Sequence, residues 1–505
     1  MSATLTKESV EGLKDTIRSL YTVDSIPWVI GYSGGKDSTA TLALIWMALR
    51  ELPKEMLHKT VHIINTDTLV ESPVVAKWAH DSLDLMEVKA KEEGLPFETH
   101  ILYPDTYNTF WVNLIGRGYP FPRKKYRWCT ARLKIDPVNT FIKQKIAEHG
   151  EVVLVVGTRK AESSRRKHTM EYYEKKRIRN LLSPNPTLAN ELVFSPISEW
   201  TDDDVWVFLM QYKNPWGYSN NKLLTLYRGA TADNECPLMY EKNLPTCGNS
   251  RFGCWVCTMV AQDKSMAAMI TNDQEKAWMS PLLEFRDYFG VDDNTDRNRR
   301  GFRRKNGTLQ GSHKRLIHGP YTKEYREDFL RKLLRTEKTV NELCPKEYKG
   351  IQLISLEELR AIRRIWHEDF HEFDDMVPII YEEETGNSFY DPQWIGNETY
   401  GNDEWKILKE VCENYDGELQ LFEMAYSILD TELKTTGLNQ RKGIIDTMAK
   451  EIKKNFFKDE NDALNYYRER VCRADQYNSL NKKDEKFFID YLDTSKDESS
   501  EDVDV

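Results

Sequence analysis

The chain has 505 residues, of which 40% are hydrophobic, 11% aromatic and 30% charged, with a formal charge of −10. That much apolar material excludes a disordered chain, the length exceeds one compact domain, and the acidity gives the chain as a whole no pull toward polyanions. The longest apolar run, around Thr41 to Leu49, is far shorter than the ~20 residues of a membrane span, and the first residues show no export signal. A cytoplasmic location without membrane contact is expected.

The first half alternates strand and helix signals. Pro27 to Tyr32 is a short apolar strand candidate, followed by a glycine turn and an apolar-periodic helix from about Asp37 to Leu52. Val61 to Asn65 forms a second strand, and Ser72-Pro73 opens a helix running toward Glu93. Phe97 to Leu102 and Val152 to Val156 read as further strands, and Thr201 followed by three aspartates is an N-cap for a helix through Tyr212. This order predicts an α/β fold with a parallel sheet covered on both faces. Residues 1–265 are assigned to that domain and 266–345 to a basic connecting segment, with Arg297 to Arg315 read as a basic loop. Residues 346–492 are assigned to a mostly helical C-terminal region, and 493–505 to an acidic disordered tail.

Ser33-Gly34-Gly35-Lys36-Asp37-Ser38 stands between the first strand and its helix. Backbone amides at a helix N-terminus, glycines that allow close approach, the Lys36 cation and the Ser33 and Ser38 hydroxyls together make an anion site suited to phosphate. A Walker A loop needs Ser or Thr directly after the lysine; here Asp37 follows, an acid suited to holding Mg²⁺ or orienting the chemistry.

Eight cysteines in a chain of this size do not form a disulfide scaffold. Cys247, Cys254 and Cys257 fall within one short glycine-containing segment, two of them in a Cys-x-x-Cys turn suited to a metal. The fourth ligand is Cys129 or Cys236, and spacing alone leaves both an iron–sulfur cluster and zinc open. Residues 117–179 carry 18 Lys and Arg against 6 Asp and Glu, with cations and aromatics mixed in Arg123 to Trp128; Arg297 to Lys305 is a second basic patch. Such composition suits a nucleic-acid backbone and stacked bases.

The Ser33–Ser38 loop resembles the PP-loop of ATP pyrophosphatases, which split ATP to AMP and pyrophosphate. Four further stretches are similar to sulfonucleotide (PAPS) reductases: Asn65-Thr-Asp67 through Pro73, Gly157-Thr-Arg159 through Arg166, Ser195-Pro-Ile197 through Trp206, and Gly253-Cys254 through Thr258. The resemblance implies an adenine nucleotide alpha hydrolase-like domain, Asp67 in the nucleotide site, and Cys129 completing a [4Fe–4S] set with Cys247, Cys254 and Cys257. A true reductase ends in a tail with a nucleophilic cysteine; this sequence ends Glu501-Asp-Val-Asp-Val505, which argues against reduction of an activated sulfate.

The widest resemblance is to the DndC family, the sulfurtransferase of DNA phosphorothioation systems. It extends through Gly319-Pro-Tyr321-Thr to Leu334, and through Ile362 to Trp366 and Met376 to Tyr381. It implies that Lys36, Asp37, Mg²⁺ and the loop amides hold ATP while a DNA phosphate oxygen is adenylated for replacement by sulfur, with Arg159 and Arg165 gripping the phosphate. Sulfur is expected from a cysteine desulfurase, and the implied partners are DNA, an ATPase subunit and a small DNA-binding protein. A tRNA thiolase, a sulfonucleotide reductase-like enzyme and a non-catalytic DNA-binding assembly subunit are the alternatives.

Overall fold

The computed structural model describes residues 5–124, 126–177, 179–230, 252–311, 315–372, 374–394, 402–414, 418–437 and 442–480. Helix α1 (Lys7–Thr22) leads into β1 (Trp28–Gly31), α2 (Lys36–Arg50), β2 (Val61–Thr66), α3 (Pro73–Glu93) and β3 (Phe97–Leu102). A short turn α4 (Trp128–Thr130) continues into α5 (Asp136–His149), followed by β4 (Val152–Val155), α6 (Ser164–Glu174), β5 (Ser183–Pro184), β6 (Glu191–Phe194), α7 (Asp202–Gln211) and α8 (Asn220–Gly229).

The six strands run in the order β3-β2-β1-β4-β6-β5, all parallel except β5, which is antiparallel to β6. β1 pairs with β2 on one side and β4 on the other, so the strand order reverses at β1/β4. In an open sheet this switch point leaves a crevice at the carboxyl ends of the strands. Alternate residues of β1 enter different cores: Trp28 and Ile30 pack with α1, α2, α3 and α7, whereas Val29 joins Ile64, Val152 and Ile142 of α5 on the opposite face. Burial on both faces explains why these strands read as continuous apolar runs.

Beyond residue 252 the described elements are helices. They are α9 (Lys264–Asn272), α10 (Ser280–Phe289), α11 (Asp293–Arg297), α12 (Lys323–Leu343), α13 (Leu356–Asp369) and α14 (Met376–Thr385), then α15 (Asn402–Cys412), α16 (Glu418–Thr435), α17 (Ile444–Lys454) and α18 (Glu460–Leu480). One apolar core joins Phe110, Trp111 and Trp255 to Leu330, Leu333, Ile362 and Ile380. Indole N–H groups cross this core: Trp111 Nε1 donates to the Leu353 carbonyl at 2.7 Å and Trp366 Nε1 to that of Ile115 at 2.9 Å. The α-helical half is thus packed directly on the segment that carries Cys129. Among the described residues no helix is long and apolar enough to cross a membrane.

Candidate active site

The loop after β1 is shaped by its neighbours. Gly34 adopts φ +73°, and a Cβ there would meet Ala79 and Trp78 of α3 at 3.2 Å, so both conformation and space favour glycine. Trp78 Nε1 donates to the Gly34 carbonyl at 3.2 Å, and the Ser33 N–H donates to Ser38 Oγ at 3.2 Å. Gly35 is the N-cap of α2 and supplies no side-chain cap, while the Lys36 N–H donates to Tyr227 Oη from α8 at 3.2 Å. An uncapped 15-residue helix aimed at the crevice is a site for negative charge.

Four charged side chains meet there. Lys36 Nζ lies 3.0 Å from Asp202 Oδ1, Arg159 Nε 2.7 Å from Asp37 Oδ1, and Arg159 Nη2 2.7 Å from Asp202 Oδ1. Lys36 and Arg159 are buried. Burial works against the Arg159 charge, but Asp37 and Asp202 outweigh it and hold the guanidinium above its ordinary range. Burial likewise pushes the Asp202 carboxyl up, and the Lys36 and Arg159 cations outweigh that to keep it below the usual aspartate value. Arg159 arrives from the turn after β4, where Gly157 touches the first turn of α2: a Cβ at 157 would stand 2.8 Å from the Asp37 carbonyl oxygen.

Asp202 and Tyr227 escaped the sequence-based site assignment. The Asp202 signal lay in Thr201-Asp-Asp-Asp204, where Thr201 and Asp204 form a reciprocal capping box that leaves Asp202 free to face the loop. Tyr227 has no local signal; only the packing of α8 brings it to Lys36. Arg165 stands apart, exposed in the first turn of α6 with no ion pair among the described residues.

Asp67, at the end of β2, accepts the Leu69 N–H at 2.8 Å and lies 3.3 Å from His80 Nε2. The strand then meets the cysteine segment: Glu71 bridges to Cys254, the Trp255 N–H donates to the Val70 carbonyl at 3.0 Å, and Thr68 Oγ1 lies 3.4 Å from Cys254 Sγ. Cys129, Cys254 and Cys257 are partly buried and close enough to influence one another electrostatically, with Lys134 acting on Cys129 and Cys254. Burial pushes the Cys129 thiol up and that of Cys254 to about 11. The buried Arg286 of α10 fixes the following turn, donating to the carbonyls of Cys257 at 3.0 Å and Ala261 at 2.8 Å. Cys236 and Cys247 lie outside the described residues. The described thiols fit a metal group on donor chemistry: Cys129 and Cys254 each stand near Cys257, and burial makes the Cys129 and Cys254 thiolates costly until a metal compensates.

The basic stretches are largely consumed internally. Arg297 pairs with Glu460, Arg300 and Arg123 with Asp296, Lys305 with Asp369, and Arg303 donates to the Phe457 carbonyl. These bonds tie the irregular 297–311 segment to α11, α13 and α18. Lys124, Arg127 and Arg165 are exposed and make no ion pair among the described residues.

Residues 27–259 match the family described as phosphoadenosine phosphosulfate reductase domain. Two uncharacterized proteins of Methanocaldococcus jannaschii are similar: MJ0066, 26% identical over 52% of this chain and 42% of its own length, and MJ0973, 26% identical over 45% and 40%. The chain therefore spans about four-tenths of the length of these curated relatives. Among solved structures, a phosphoadenylyl-sulfate (PAPS) reductase from Candida auris aligns over 44% of this chain and 93% of its own, at 14% identity and TM-score 0.26. The U34-tRNA thiolase NcsA from Methanococcus maripaludis, with its [4Fe-4S] cluster, aligns over 43% and 70%, at 16% identity and TM-score 0.26. Residues 27–259 thus carry a PAPS-reductase-like fold, a mostly parallel sheet with the Ser33–Ser38 loop at its switch point.

Proposed function

We propose that the chain is an ATP-dependent sulfurtransferase that adenylates an oxygen of a DNA backbone phosphate so that sulfur can replace it. The observation that carries this reading is the Lys36–Asp37–Arg159–Asp202 cluster, its two cations buried and its two carboxylates reaching the crevice, beside the uncapped start of α2. Its two cations and two carboxylates cancel, so an ATP polyphosphate needs added positive charge. Mg²⁺ held by Asp37 and Asp202, with phosphate oxygens as further ligands, would supply it.

In the proposed reaction a non-bridging oxygen of the DNA phosphate attacks the α-phosphorus of ATP; the new P–O bond forms as the bond to pyrophosphate breaks. Lys36 and the first-turn amides of α2 stabilise charge developing on the departing pyrophosphate, and Arg159 orients Asp37 and Asp202. AMP is then the leaving group when a sulfur nucleophile at the hydrosulfide level reaches the DNA phosphorus. A [4Fe–4S] group held by Cys129, Cys247, Cys254 and Cys257 would supply a place to hold sulfur at that level. Lys124, Arg127 and Arg165 are among the exposed cations available to meet a nucleic-acid backbone. A cysteine desulfurase, an ATPase and a small DNA-binding protein are the proposed partners.

The test is mass spectrometry of nuclease-digested DNA and RNA from cells carrying the wild-type chain or Lys36→Ala, with AMP and pyrophosphate measured on the purified protein. Phosphorothioate dinucleotides lost in the variant support the reading. Sulfur lost from tRNA bases instead selects the thiolase alternative, and ADP as the sole nucleotide product refutes both.

A further inference from the structure

Away from the crevice, at the edge of the sheet, three side chains point metal-binding atoms at one another. His62 is on β2; Glu98 and His100 are on the edge strand β3. His62 and Glu98 are register partners in the parallel ladder, and His100 follows Glu98 by two positions, so all three share one sheet face. That is the face covered by α5, whose Phe141 ring stands 5.7 Å from the His62 ring and 4.9 Å from the His100 ring. His62 Nδ1 lies 3.1 Å from His100 Nε2 and 3.3 Å from Glu98 Oε2, while His100 Nε2 lies 3.9 Å from Glu98 Oε2.

These three separations form a triangle with the dimensions of one face of a zinc tetrahedron. Zinc–nitrogen and zinc–oxygen bonds of about 2.1 Å place neighbouring ligand atoms about 3.4 Å apart. Hydrogen bonding alone accounts for the arrangement less well. His62 Nδ1 carries one proton or one lone pair in the neutral ring, and it faces two partners at once. Among the described residues this is the one His/Cys/Asp/Glu group with three ligand atoms mutually within 4.8 Å.

We propose that His62, Glu98 and His100 form a site for a divalent transition-metal ion of the zinc class, distinct from the cysteines, that fastens edge strand β3 to β2. His62 is 4% exposed and Glu98 58%, so the triangle opens from the sheet interior toward solvent, leaving a fourth position to water. The charged groups facing it from α5 are Lys145, Glu148 and His149. The Lys145 ammonium opposes a cation, and its pairing with Glu148 at 2.8 Å offsets that. The site also braces β2, whose far end carries Asp67.

The experiment uses the full chain, purified anaerobically, stripped with chelator and equilibrium-dialysed against Zn²⁺ beside His100→Gln and Glu98→Gln. Zinc and iron are counted by plasma mass spectrometry, and thermal midpoints are recorded with and without Zn²⁺. The wild type should hold one zinc equivalent more than either variant and gain a zinc-dependent rise in midpoint that both variants lose, with iron unchanged in all three. Should His100→Gln fail to fold, Glu98→Gln, altered at an exposed side chain, carries the comparison. Equal zinc in wild type and Glu98→Gln, with no zinc-dependent rise in the wild type, overturns the proposal.

Discussion

Replacing Gly157 with alanine tests how the nucleotide loop is held against the sheet. The added Cβ would lie 2.8 Å from the Asp37 carbonyl oxygen, 2.9 Å from its carbon and 2.9 Å from Thr41 Oγ1. Measured against ordinary van der Waals separation, that is an overlap of about 0.6 Å. Two of the three atoms are backbone of the first turn of α2, so no side chain can rotate away. Overpacking of this kind costs about 1–3 kcal/mol. Relief requires moving the start of α2 from the end of β4, which pulls Asp37 off Arg159 and displaces Lys36. Urea denaturation should show the loss of stability, and equilibrium binding should show ATP affinity falling by about tenfold, or about 1.4 kcal/mol. Gly12→Ala is the control: nothing lies within 4 Å of its added Cβ in the middle of α1, and a gain of about 0.5–1 kcal/mol is expected. A Gly157→Ala protein that unfolds and binds ATP like the wild type would refute the close approach of β4 and α2.

Arg159→Met leaves the partly exposed Asp37 and Asp202 facing Lys36 alone. A loss of about 1–3 kcal/mol in urea denaturation is expected, between the exposed-pair and buried-pair magnitudes because solvent reaches both carboxylates. Bonding to Asp67 holds the His80 imidazolium to higher pH than its ordinary value of 6.5. Because the folded value is the raised one, this stabilisation is complete below about pH 6.5 and disappears as pH rises through the folded value. His80→Ala should therefore lower the thermal midpoint more at pH 6 than at pH 9, and an equal deficit at both would contradict the pairing. Arg127→Glu should weaken DNA binding and reduce the salt slope by about one. Arg297→Gln should instead lower the thermal midpoint, by releasing Glu460 and His318, and leave DNA affinity near wild type.

Local chemistry determined much of the first half. Apolar runs that must be buried on both faces marked Trp28–Gly31, Val61–Thr66 and Val152–Val155 to within a residue or two, and the sparser apolar content of edge strand Phe97–Leu102 marked that element as well. Pro73 at a helix start and Thr201 as an N-cap located α3 and α7, because caps are read from a few consecutive residues. Ser33 to Ser38 was legible for the same reason: the strand, the turn and the helix N-terminus that make it an anion site are contiguous. What tertiary structure alone decided is which distant groups share a point. Asp202 and Tyr227 reach Lys36 because strand order folds α7 and α8 over the switch point. The 297–305 patch looked like a nucleic-acid surface, since composition counts charges without showing their partners on α11, α13 and α18. His62 and His100 are 38 residues apart in the chain and become neighbours only through a parallel ladder, whose register depends on the packing of the whole sheet rather than on either strand.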